Sequence, residues 1–118
     1  MPYKYANPNP KGARVGDCVI RAISIATGKT WESVYAELSF YGFRSCDMPS
    51  SNAVWGKYLR DLGFKQYIAD DTVREFCRDH SSGTYIVGTG SHAVAVIDGN
   101  YYDTWDSGDE AIIIFWGE

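Results

Sequence analysis

Apolar residues change their spacing about two-thirds of the way along the chain, and the change divides it. Over 18–26 they are almost continuous. Cys18, Val19, Ile20, Ala22, Ile23, Ile25 and Ala26 leave hardly any polar face, so the stretch reads as a helix buried nearly all round. Asp17 before it is a good N-cap, whose carboxylate can accept from the free amides of the first turn. Gly28 is a natural terminator. Thr30 caps a second helix over 31–41, with Trp31, Val34, Tyr35 and Leu38 at helical spacing and Gly42 as its end. Residues 43–51 read as a loop. A third helix starts at Ser51 or Asn52 and runs to about Leu62, its apolar face made by Val54, Trp55, Tyr58, Leu59 and Leu62. Residues 64–68 alternate and read as a short edge strand or an extended link. Thr72 and Glu75 have capping-box spacing, which predicts a fourth helix ending near His80.

From Thr84 the period becomes that of strands. Residues 84–88, 92–97, 101–105 and 111–116 all read so, with Asp98-Gly99-Asn100 as a tight hairpin between the second and third. At the other end, Asn7-Pro8-Asn9-Pro10 disfavours helix, because a residue before proline avoids the helical region. Residues 3–15 therefore read as an ordered, irregular arm that straps the fold or lines its site. Helices followed by a meandering antiparallel sheet make an α+β layout, in one domain over 1–118.

Composition narrows the class. The chain has 118 residues, 45% of them hydrophobic and 15% aromatic. That is enough to build a core without disulfide staples. A net charge of −4 provides no basic footprint for nucleic acid. No apolar run approaches the roughly 20 residues of a membrane span, and the first residues lack the apolar core of a signal peptide. Three cysteines, Cys18, Cys46 and Cys77, are an odd and widely spread set. They fit a reducing compartment, so the expectation is a cytoplasmic protein with free thiols.

Cys18 is the first candidate for chemistry. A helix N-terminus carries partial positive charge and favours the thiolate, which is the nucleophile. The plainer reading is a small buried hydrophobe, the usual fate of a free cysteine. His92 opens a strand after Gly88-Thr89-Gly90-Ser91, and Asp103 lies on the hairpin partner with Asp106 just beyond. Either carboxylate can neighbour His92. Such a group fixes the tautomer and stabilises the imidazolium that keeps a cysteine ionised. Taken singly, His92, Asp103 and Asp106 are ordinary strand-start and turn residues. A metal reading is weaker: Cys77 and His80 share a helix and Cys46 and His92 could join them, but zinc sites pair ligands on both sides. The expectation is no metal and no cofactor.

Three patches together resemble the papain-like cysteine peptidase superfamily, in the small bacterial and phage version similar to bacteriocin-processing peptidase domains. They are Gly16-Asp17-Cys18 at the start of a buried helix, His92-Ala93-Val94-Ala95-Val96, and Asp103-Thr104-Trp105. The resemblance implies a papain-like fold, with Cys18 as nucleophile, His92 as base and Asp103, or else Asp106, as third member. It implies a peptidase or amidase acting on a peptide or isopeptide bond of a peptide or protein. The family's glutamine upstream of the cysteine, an oxyanion donor, has no counterpart in 11–15. Asn9 or Asn7 is the substitute, or the Cys18 amide acts alone. One such donor is worth about 10²–10³ in rate. The alternative is a catalytically inactive relative that binds or inhibits a target, phage-encoded against a host factor and then working in the host cytoplasm. So small a chain predicts a shallow cleft, lined by aromatics such as Tyr41, Trp55 or Trp105.

Overall fold

The computed structural model describes residues 2–118. Its elements are β1 (Tyr3–Tyr5), α1 (Cys18–Thr27), α2 (Trp31–Ser45), α3 (Asn52–Asp61), β2 (Lys65–Ile68), α4 (Val73–Asp79), β3 (Thr84–Gly88), β4 (Ala93–Ile97), β5 (Asn100–Asp103) and β6 (Ile114–Gly117). The strands form one sheet in the order β1-β5-β4-β3-β6-β2.

The meander β3-β4-β5 is antiparallel, as the alternation predicts. Its hairpin turns at Asp98 and Gly99, whose φ values of 50° and 77° are both left-handed, as a two-residue turn of this kind requires. Elsewhere the sheet departs from expectation. Residues 3–5 of the arm are a strand, pairing parallel with β5 (Tyr3 opposite Tyr101). β6 does not continue the meander beside β5; it inserts on the far side of β3, with Ile86 opposite Trp116. β2 covers its outer edge. The sheet is therefore mixed, and both edges come from the helical part of the chain. Only 114–117 of the last apolar run joins it; Ala111 makes a single bridge to Thr72.

α2 also runs past Gly42. A Cβ at Gly42 would lie 2.8 Å from the Asp47 carbonyl, so the glycine serves close packing inside the helix. Cys46 ends it in a left-handed conformation, φ 53°.

Helices cover both sheet faces. α1, α2 and α3 bring Ile23, Leu38, Trp55 and Leu59 onto Ile86, Ala95 and Trp116. α4 brings Val73, Phe76 and Cys77 onto Val87, Val94, Val96 and Tyr101. Strand alternation explains the split, since neighbouring residues point to opposite faces. On β4 the small residues Ala93 and Ala95 face the α1 side and the valines face α4. Two alanines let α1 lie close to the strand. No residue of α1 is exposed, and Arg21, Ala22, Ile23 and Ser24 are buried. No helix among the described residues is long and apolar enough to cross a membrane.

Candidate functional site

The close approach of α1 to β4 puts the first residue of the helix beside the first residue of the strand. Cys18 is half-buried, and its sulfur meets the His92 ring and the backbone amide of Ala93. Burial pushes the thiol up. The His92 hydrogen bond, the Ala93 N–H, the His92 charge and Arg21 together outweigh it, so Cys18 sits below the ordinary thiol range. His92 moves the other way. Burial disfavours its charge, but hydrogen bonds and charge from Asp103 and Cys18 push it up to about 9. Both shifts run in the direction that favours a thiolate facing an imidazolium.

The third member is Asp103, at the end of β5. His92 Nε2 lies 2.6 Å from Asp103 Oδ2, which leaves Nδ1 for the thiol. Asp103 is 2% exposed. Ser107 Oγ donates to Oδ2 at 2.6 Å, and the Thr104 amide to Oδ1 at 2.8 Å. Burial raises this carboxyl, yet the His92 and Ser107 hydrogen bonds and the His92 charge hold it below its usual range. Trp105 packs against the His92 ring, centroids 5.2 Å apart.

Asp106 does not compete. It accepts from the Tyr101 hydroxyl and the Gly108 amide, with Arg74 at 3.5 Å, and so pins the turn after Asp103. Asn9 does not line the pocket at Cys18. Its Oδ1 accepts from the Lys11 and Ala13 amides at 2.9 and 3.4 Å. Asn7 accepts from the Asn9 amide and donates to the Ala13 carbonyl. Both asparagines fold the arm on itself, outside the wall of the pocket at Cys18. The arm acts on Asp103 instead: the Ala6 amide and the Tyr3 hydroxyl donate to its carbonyl at 3.0 and 3.2 Å. Arg14 donates to the Thr104 carbonyl at 2.9 Å.

Asp17 also departs from expectation. Its carboxylate makes no capping bond to α1. It pairs with Arg21, one turn on, and accepts from Trp31 Nε1 at 2.9 Å. Arg21 is 7% exposed and reaches Asp103 Oδ1 at 3.5 Å. A buried guanidinium needs carboxylates more than a helix end needs a side-chain cap. Arg21 was the residue sequence reasoning passed over. The signal was there: one charge in an otherwise apolar helix, four residues after an aspartate. Ser107 and the Ala93 amide carried no such signal.

The pocket at Cys18 and His92 has a volume of about 660 Å³. Trp55 lines it, but as a buried wall at 6% exposure. Tyr41 is elsewhere, bonded to Asp61 at 2.6 Å and packed on Tyr58. The four groups of the metal reading are not brought together. Cys77 is in the core with its thiol pushed up to about 11 by burial. His80 stacks on Phe76 at 3.8 Å, and Cys46 is exposed. Among the described residues, no cluster of three or more His, Cys, Asp or Glu is placed to hold a metal. Comparison with family models, curated proteins and solved structures found no match.

Proposed function

We propose that the protein is a cysteine hydrolase of papain-like layout that cleaves a peptide or isopeptide bond in a peptide or protein. The observation that carries this reading is the continuous line Cys18–His92–Asp103, with Asp103 holding one ring nitrogen at 2.6 Å and leaving the other to the thiol. In the reaction, Cys18 Sγ attacks the carbonyl carbon as a thiolate. The oxyanion forms at the start of α1, where the Cys18 amide has no side-chain cap to compete with it. His92 passes its Nδ1 proton to the leaving nitrogen as the C–N bond breaks, giving an acyl-thioester and free amine. His92 then takes a proton from water, whose oxygen attacks the thioester and frees the acid and the thiol. Asp103 keeps the ring in the required tautomer throughout.

One observation favours the inactive alternative, a binding or inhibitory relative. With Asn7 and Asn9 both outside the pocket wall, the Cys18 amide is the single oxyanion donor assigned. The two readings separate on thiol reactivity. Iodoacetamide labelling of Cys18 from about pH 4 to 9 reports the thiolate directly. The hydrolase reading expects labelling well below the ordinary thiol pKa of about 8.5 and its loss in His92→Ala. A Cys18 that reacts no faster than exposed Cys46, and ignores His92→Ala, leaves the binding reading standing.

A further inference from the structure

We propose that a second pocket, on the α4 face of the sheet, takes the side chain of an arginine from a basic peptide or protein. It lies where β3, β6 and β2 run side by side, and it shares no residue with the wall at Cys18. Strand alternation separates the two pockets. Ile114 and Trp116 of β6 face α1, α2 and α3, and Phe115 between them faces α4. The inference therefore stands apart from the hydrolase reading.

The pocket has a volume of about 530 Å³, and four of its wall residues carry rings: Tyr67, His80, Tyr85 and Phe115. Tyr67 stacks on Phe115, with centroids 5.0 Å apart and planes at 19°. Tyr85 stands across them, at 71° to Phe115 and 71° to His80. Two ring directions near a right angle make a corner. Glycines hold Tyr85 in it: a Cβ at Gly117 would lie 2.9 Å from its ring, and one at Gly83 would lie 3.1 Å from its hydroxyl. The corner is thus set before any ligand arrives. It is also open to solvent, because Tyr67 is on the outermost strand and 42% exposed.

Ring faces carry a negative quadrupole and attract cations. The polar groups of the wall say which cation. Glu118 lines the pocket and makes no ion pair among the described residues. No Lys or Arg is part of the wall. His80 Nδ1 lies 3.0 Å from the Phe76 carbonyl. A carbonyl only accepts, so Nδ1 carries the proton and the neutral ring keeps Nε2 as an acceptor. A quaternary ammonium would suit the rings and leave both acceptors unused. A lysine ammonium donates but has no flat face to lay on a ring. A guanidinium does both, being planar with five N–H groups in its plane. The net charge of −4 favours the approach of a basic partner.

The test is an NMR titration of the full chain at low salt with acetyl-arginine amide, and with acetyl-citrulline amide as its uncharged isostere. Ring resonances of Tyr67, Tyr85 and His80 report on the pocket. The arginine amide should saturate their shifts with a dissociation constant of about 1–10 mM. The citrulline amide should bind about 10-fold more weakly. Tyr67→Ala removes an exposed ring and Glu118→Gln removes only a charge. Each should weaken arginine binding by about 3- to 10-fold, and both should keep the wild-type Cys18 labelling profile, which reports an intact fold. Equal binding of the two amides, shifts that never saturate, indifference to both substitutions, or tetramethylammonium binding as tightly as the arginine amide overturns the proposal. None of these outcomes touches the hydrolase reading, which stands or falls on His92-dependent labelling.

Discussion

Arg21 and Asp103 meet at 3.5 Å between the interior of α1 and the end of β5, both almost wholly buried. Through this contact the helix that carries Cys18 is joined to the carboxylate that orients His92. Asp17, on the other side of Arg21, completes a row of charges with Cys18 and His92 at its far end. Removing the guanidinium takes a counter-charge from two buried carboxylates. Arg21→Met should therefore cost about 3–5 kcal/mol in urea unfolding. It should also raise the Cys18 thiol, because Arg21 is one of the charges holding it down. Arg21→Lys keeps the charge but not the fork that spans two carboxylates, and should fall between wild type and Arg21→Met in both measurements.

The two candidate carboxylates should separate cleanly. Asp103→Asn takes the charge from His92 and is expected to lower Cys18-dependent turnover by at least about 10²-fold. The iodoacetamide profile should shift toward the ordinary thiol range at the same time. Asp106 is bonded to Tyr101 and Arg74, not His92. Asp106→Asn should leave the profile in place and change the urea midpoint far less than Arg21→Met does.

His92 also makes stability depend on pH. Its folded pKa is raised to about 9 from an ordinary 6.5. The stabilisation this represents is complete below 6.5 and lost as pH rises through the folded value. Cys18 supports part of that rise, so a Cys18→Ala background isolates the share due to Asp103. In that background the urea midpoint should fall from neutral to alkaline pH, and adding His92→Gln should flatten the fall. Parallel curves for the two proteins would show that His92 gains no charge stabilisation from its partner.

Ala95 faces the α1 side of β4 and is wholly buried. Ala95→Leu should cost about 1–3 kcal/mol through overpacking. Because it lifts α1 from the strand, it should also weaken the contact of Cys18 with the Ala93 amide and raise the thiol. Val96→Ile, on the opposite face, should change stability without moving the Cys18 labelling profile.

Local signals carried a good part of the fold. Thr72 and Glu75 do form a capping box, Thr30 does cap α2, and Asp98-Gly99 does turn the hairpin. In each case the residues that decide the structure lie within a few positions of one another. Cys18 at a helix start and His92 before a strand are legible for the same reason. Gly42 misled because the atom it makes room for, the Asp47 carbonyl, belongs to a loop folding back on the helix.

By itself, then, the sequence determined the four helices, the central hairpin and the α+β class. Period and capping are properties of a short stretch, and they survive whatever the stretch packs against. Only the tertiary structure decided the sheet edges, the insertion of β6 beside β3, the walls of the pocket and the choice of Asp103 over Asp106. It also took Asp17 from the helix end for Arg21, a residue that needs Asp103, 82 positions away, as well. Spacing along the chain cannot rank such partners. They are chosen by the cost of leaving a buried charge or an apolar face without one.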